Sequence, residues 1–184
     1  MKPACTLLLR GLLAGSMLWL GACAVRAQAD DAQPMPENSI TLERSTCFGN
    51  CPAYRVTVTA AGKVSFTGQD HLQTMQATGQ VTPTQLAAIH DPLARADFDA
   101  MQASYVSRND GCGMIMTDQP GIKITVDSSS GNRSVDFYFG CTGPAAEAVR
   151  PRIEQLANSI DQQLGTRRWI GTPKPPGAAE HVER

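Results

Sequence analysis

Tyr54-Arg-Val-Thr-Val-Thr59, Ala60-Ala-Gly-Lys63 and Val64-Ser-Phe-Thr67 decide the fold. In the first stretch Tyr54, Val56 and Val58 alternate with polar residues, the period of a strand with one buried face. The middle stretch is a short connection with a glycine, and alternation resumes at Val64 and Phe66. Together they read as a β-hairpin. Upstream, Ser39-Ile-Thr-Leu-Glu-Arg44 alternates in the same way. Further on, Ile122-Lys-Ile-Thr-Val126 runs through Asp127-Ser-Ser-Ser-Gly-Asn132 into Arg133-Ser-Val-Asp-Phe-Tyr-Phe139. This is a second hairpin, and its more apolar second arm is expected to be the better buried.

Two helical segments separate and follow the hairpins. Thr82-Pro83-Thr84-Gln85 carries an N-cap threonine, a first-turn proline and the glutamine of a capping box. Leu86, Ile89 and Leu93 then fall at helical spacing, and Pro92 is expected to end this piece, since a mid-helix proline costs about 3 kcal/mol. Phe98 and Met101 are expected in a further turn on the core. The last helix opens at Pro144, with Val149, Ile153, Leu156, Ile160 and Leu164 along one face and Gly165 at its end. Pro151 either kinks it or starts its main body. Trp169 is expected to fold back as a plug. The order β-β-β-α-β-β-α predicts an α+β fold: an antiparallel sheet of about five strands with two helices on one face. No parallel crossover is required.

The 184 residues suit one domain of about 39–170 plus terminal segments. A net charge of -1 argues against a broad nucleic-acid surface, and a 42% hydrophobic fraction argues against global disorder. No repeat of solenoid period is present. Residues 171–184 are proline-rich, then polar, and read as a disordered tail.

The N-terminus reads as an address. Lys2 and Arg10 precede Gly11-Leu-Leu-Ala-Gly-Ser-Met-Leu-Trp-Leu20, an apolar run too short to span a bilayer but of secretory length. It ends in Leu20-Gly21-Ala22-Cys23, which resembles a bacterial lipobox. Cleavage there would make 1–22 a signal peptide, Cys23 an acylated first residue and 23–38 a flexible tether. The net charge would move to −3, so the acyl chains rather than basic residues would hold the membrane. Ala27-Gln28-Ala29 offers an ordinary signal-peptidase site instead. The two readings place the protein in the bacterial envelope, anchored to the outer membrane and facing the periplasm, or soluble in the periplasm or secreted.

Four domain cysteines, Cys47, Cys51, Cys112 and Cys141, allow three pairings. In an oxidising compartment disulfides are expected, with Cys47 to Cys51 and Cys112 to Cys141 the favoured set. The first closes a short loop and shapes it; the second clamps the irregular 105–121 stretch to the end of the second hairpin. Cys47-Phe-Gly-Asn-Cys51-Pro52 also has a spacing compatible with thiol redox or Cu(I) chemistry, and Met114 and Met116 flank Cys112. Against that, the pair joins two strands, whereas reactive pairs sit at a helix N-terminus that lowers the thiol pKa. No histidine has metal-like spacing to it.

Ile40-Thr-Leu-Glu-Arg-Ser-Thr-Cys47-Phe48-Gly49-Asn50-Cys51-Pro52-Ala53-Tyr54, continuing to Gly62, resembles the signature of an uncharacterised bacterial family, a domain of unknown function found in secreted proteins and lipoproteins. Thr117-Asp118-Gln-Pro120 and Tyr138-Phe-Gly140-Cys141 fit later positions, so the resemblance spans about 39–164. It implies an exported single domain and brings no catalytic residue.

The remaining polar residues have ordinary explanations. Asp118 precedes a Gln-Pro-Gly turn and reads as a turn former, and Asp110 and Asp127 share no face with it. His71 and His90 read as surface residues. Arg44 and Arg55 flank the cysteine motif as a solvated edge or an anion contact. Neither a nucleophile elbow nor a phosphate loop is present. These features lead to a non-catalytic binding or accessory lipoprotein, with no cofactor and no metal. Its partner would be an envelope protein or small ligand, met through Phe48, Tyr54, Tyr105 and Asp118. The alternative is a periplasmic thiol-redox or copper-handling factor using Cys47 and Cys51.

Overall fold

A computed structural model describes residues 38–171. The expected signal peptide, Cys23, the expected tether up to residue 37 and the expected tail from residue 172 lie outside these residues. Within them the chain forms strands β1 (Ser39–Arg44), β2 (Ala53–Thr59), β3 (Lys63–Asp70) and β4 (Gln76–Gln80), helix α1 (Pro83–Arg95), and strands β5 (Ser104–Tyr105), β6 (Gly121–Ser128) and β7 (Gly131–Tyr138). Helices α2 (Pro144–Leu164) and α3 (Arg167–Ile170) close it, and single 3-10 turns occupy Phe98–Ala100 and Arg108–Asp110. The sheet order is β4-β3-β2-β1-β6-β7-β5, antiparallel except for the β5–β7 pair.

The fold is α+β as expected, with seven strands in place of about five and three helices in place of two. β4 escapes alternation analysis because Gln-Ala-Thr-Gly-Gln has no large apolar residue to mark a face. β5 is only two residues long. The expectation that the second arm of the later hairpin is better buried is reversed. β6 lies between β1 and β7, whereas β7 is flanked on its outer side by the short β5.

Register and alternation give the sheet two unlike faces. Ile40, Leu42, Val56, Val58, Phe66, Ile122, Ile124, Val135 and Phe137 share the inner face and are all buried. On the outer face Thr78, Ser65, Thr57, Thr41, Thr125 and Ser134 stand in one row across six strands. Within it Thr41 and Thr57 share a 2.8 Å hydrogen bond. The adjacent row, Arg55, Glu43, Lys123 and Asp136, alternates in charge, so every cross-strand neighbour attracts. Burial raises the Asp136 carboxyl above its usual range, with Lys123 opposing.

The helices cover the inner face. Thr82 caps α1 as predicted, accepting from the Gln85 amide at 3.2 Å while the Gln85 side chain accepts from the Thr82 amide at 3.0 Å. Pro92 does not end α1, which continues to Arg95. Pro92 is one of the two buried α1 positions, the other being Ile89. α2 likewise runs unbroken through Pro151 and buries seven residues, among them the predicted stripe from Val149 to Leu164. Burying a large apolar side chain is worth about 1.5–3 kcal/mol, so this face outweighs the loss at one proline. Gly165 ends α2 at φ 65°, where a left-handed turn favours glycine. The chain then folds back, and Trp169 packs on Phe66 with ring centroids 4.9 Å apart and the planes tilted by 39°, the expected plug. Phe98 and Met101 are buried in the core.

One charged cluster ties the layers together. The Asp161 carboxylate accepts from the Tyr54 hydroxyl at 2.6 Å, from Thr166 at 2.8 Å and from Arg44 Nε at 2.9 Å. Arg44 also donates to Asn158 at 2.9 Å. Burial, then the Asp161 charge, pushes the Tyr54 hydroxyl well above its ordinary value of 10.0.

Two outcomes follow for stability. Leu156→Ala removes a fully buried side chain from the centre of α2 and should cost about 2–5 kcal/mol in urea unfolding. The unfolded chain releases the Tyr54 proton near pH 10 while the folded chain retains it, so this group's contribution declines as pH rises above 10. Tyr54→Phe should be less stable near neutrality by about 1.5–3 kcal/mol. Its stability should also fall less steeply above pH 10, so that the two urea-derived curves converge there.

Candidate functional site

The ends of β1, β2, β6 and β7 bring three connections together at one end of the sheet. Residues 45–52 join β1 to β2, residues 111–120 lead into β6, and residues 139–143 leave β7. Ser45 donates from its amide to the Gly121 carbonyl at 3.1 Å, and its hydroxyl accepts from the Gly121 amide at 2.7 Å. The Phe48 amide donates to the Asp118 carbonyl at 3.0 Å, joining the cysteine loop to the middle connection.

The middle connection, irregular in the sequence, is laced to the chain after β7. Gly113 and Met116 donate to the carbonyls of Thr142 and Gly140 at 2.7 and 2.9 Å, and Thr142 donates back to Met114 at 3.0 Å. A side chain at Gly140 would place its first carbon 2.0 Å from the Met116 carbonyl oxygen, so only glycine fits this approach. Arg150 of α2 donates to the Phe139 and Cys141 carbonyls, each at 3.0 Å, and lies over the Phe137 and Phe139 rings. Upstream, the Asp110 carboxylate accepts from Ser104, Ser107 and the amides of Val106 and Ser107 at 2.8–3.1 Å. Those bonds, the Ser107 hydroxyl first, hold the Asp110 carboxyl below its usual value.

Both disulfides lie in these connections. Cys47 pairs with Cys51 and Cys112 with Cys141, at Cα separations of 5.6 and 5.1 Å. The first is half-exposed and the second is buried.

The four residues of the expected contact surface separate into two pairs. Phe48 is 88% exposed, and Asp118 is exposed in a left-handed turn at φ 67° with its carboxylate accepting from Thr117 at 2.9 Å. Tyr54 and Tyr105 are buried, at 1% and 2% exposure, and form no part of a surface. Tyr54 belongs to the inner face, as its alternation with Val56 and Val58 requires. The Tyr105 ring packs on Phe137 at 5.7 Å, and its hydroxyl accepts from the Gln102 amide at 2.8 Å. Their places at the surface are taken by Met114, Ile115 and Met116, all exposed. A run of large apolar residues between turn formers was the available signal for them.

Arg44 pairs with Asp161 at 2.8 Å and Arg55 with Glu43 at 2.9 Å. His71 stands beside Asp70, and His90 is exposed on α1. Among the described residues no three of His, Cys, Asp and Glu are grouped to hold a metal, and no helix is long and apolar enough to cross a membrane.

The difference in burial sets an order of reduction. Mild reductant followed by alkylation should label Cys47 and Cys51 in the folded protein, while Cys112 and Cys141 react only once it unfolds. Removing the second bridge by Cys112→Ser with Cys141→Ser should cost about 3–4 kcal/mol, the loop-entropy value for about thirty residues, read as a lowered urea midpoint.

No curated protein matches the chain. Residues 38–164, from the start of β1 to the end of α2, match the family described as Domain of unknown function (DUF6438), and the chain belongs to that family.

Proposed function

We propose that the protein is an exported bacterial envelope lipoprotein whose α+β domain is a non-catalytic binding or accessory module. In this reading Cys23 carries the acyl chains, the tether spaces the domain from the outer membrane, and the end of the sheet bearing the disulfides meets an envelope protein. The observation that supports the contact is the exposure of Phe48, Met114, Ile115 and Met116 on connections that are themselves held by hydrogen bonds and disulfides. Apolar side chains on a rigid base keep their ordering cost low when a partner covers them. Support for the anchor comes from Leu20-Gly21-Ala22-Cys23 after an apolar run of secretory length.

A second reading keeps Cys47 and Cys51 as a thiol pair for redox or Cu(I) handling. Its support is their half-exposure beside a connection that carries two exposed thioethers. No helix begins at Cys51 to lower a thiol pKa; the chain enters β2 instead.

Intact mass and peptide mapping of the protein purified from membranes should give a mature N-terminus at Cys23 with a diacylglyceryl increment. A start at Asp30 would replace anchoring with a soluble form. A photo-crosslinker at Phe48 should trap one envelope partner in cells, and Met114→Ser with Met116→Ser should abolish that product without changing the urea midpoint. Insulin reduction and Cu(I) titration of the reduced protein test the second reading, and inactivity in both removes it.

A further inference from the structure

Where the last turn of α1 crosses α2, a pocket of about 140 Å3 is lined by Arg95, Arg152, Gln155 and Ser159 over a floor that includes Pro92 and Leu156. The α2 residues in it recur at three, four and seven positions from Arg152, so one stripe of that helix faces it. Arg95 and Arg152 both line this concavity, and two positive charges on one small pocket repel each other in the absence of an anion. Arg95 has no carboxylate within ion-pairing distance among the described residues, although Asp91 lies one turn before it on α1. Arg152 spends one N–H on the Ala96 carbonyl at 3.3 Å, and the carboxylate nearest to it is that of Asp97, at 4.0 Å and 70% exposed. The two cations therefore exceed the local negative charge, even with the carbonyl end of α1 beside them.

We propose that this pocket binds a phosphate group. Two guanidiniums, the Gln155 amide and the Ser159 hydroxyl offer more donors than the two oxygens of a carboxylate can accept. They suit a tetrahedral dianion, for which arginine is the favoured side chain. The volume of about 140 Å3 is of a size to admit a phosphate or a small phosphomonoester. The apolar floor suits a phosphate carried on a short aliphatic stem. Free phosphate and the phosphate of a lipid headgroup share this chemistry.

The test is calorimetric titration of the folded protein with inorganic phosphate and with glycerol phosphate at fixed ionic strength, with acetate as comparator. A parallel arm uses sedimentation with vesicles of phosphatidylcholine with and without phosphatidic acid. Saturable binding is expected at one site in at least one arm, with acetate ineffective. Binding should weaken as salt rises and strengthen as pH rises through about 6, where a phosphomonoester takes its second charge. Arg95→Gln, which removes no bond of the folded protein, should weaken it at least tenfold. Arg152→Gln should do the same, and Arg108→Gln, outside the pocket, should leave it unchanged. The arm that shows the effect names the source. Absence of saturable binding in both arms at about 10 mM, enough to fill a site with Kd near 1 mM, would overturn the proposal. So would binding that Arg95→Gln leaves intact.

Discussion

The Asp161 carboxylate is the joint on which the layers depend. One side chain on the last turns of α2 receives Arg44 from the end of β1, Tyr54 from the start of β2 and Thr166 from the turn into α3. The three partners come from three parts of the chain, and the group lies at the border of the apolar inner face. Burying a charge there is tolerable because a cation and two hydroxyls surround it, and removing one partner would leave the rest incompletely satisfied. A hydrophobic face alone would let α2 slide along the sheet; a charged group with three directional partners sets one position.

From that joint the sheet extends to two unlike surfaces. The inner face is closed by α1, α2 and Trp169, whereas the outer face is a grid of hydroxyls and alternating charges. The side chains not already committed to neighbours stand at the ends of strands and between helices. The disulfide end offers apolar side chains on a rigid frame. The crossing of α1 and α2 offers positive charge in a concavity. The two sites differ in chemistry and lie on different elements, so a ligand at one need not exclude a partner at the other.

Much of this was legible in residue patterns. Strict alternation found β1, β2, β3, β6 and β7, and cap chemistry found the start of α1. What escaped had physical causes. Gln76–Gln80 forms a strand along the ladder that β3 offers it, since Thr78 is the one strand-favouring residue in Gln-Ala-Thr-Gly-Gln and no large apolar residue marks a face. Pro92 reads as a stop and Pro151 as a kink or a start, but α1 and α2 run through them because buried surface on each helix outweighs the lost hydrogen bond. The error over Tyr54 was different in kind: nearness to the cysteine motif was allowed to override the alternation that had already placed it inside. Asp161 is not legible in the sequence, because two of its three partners lie 107 and 117 residues away in the chain.

The connectivity of the disulfides has a consequence for biogenesis. The first cysteine of the domain is joined to the second and the third to the fourth. A chain threaded N-terminus first into an oxidising compartment presents Cys47 and Cys51 together, and Cys112 and Cys141 only afterwards. Cross-linking in order of emergence would then give the native pairing directly, without slow reshuffling. Lipid attachment at Cys23 would take the one earlier thiol of the mature chain out of the competition.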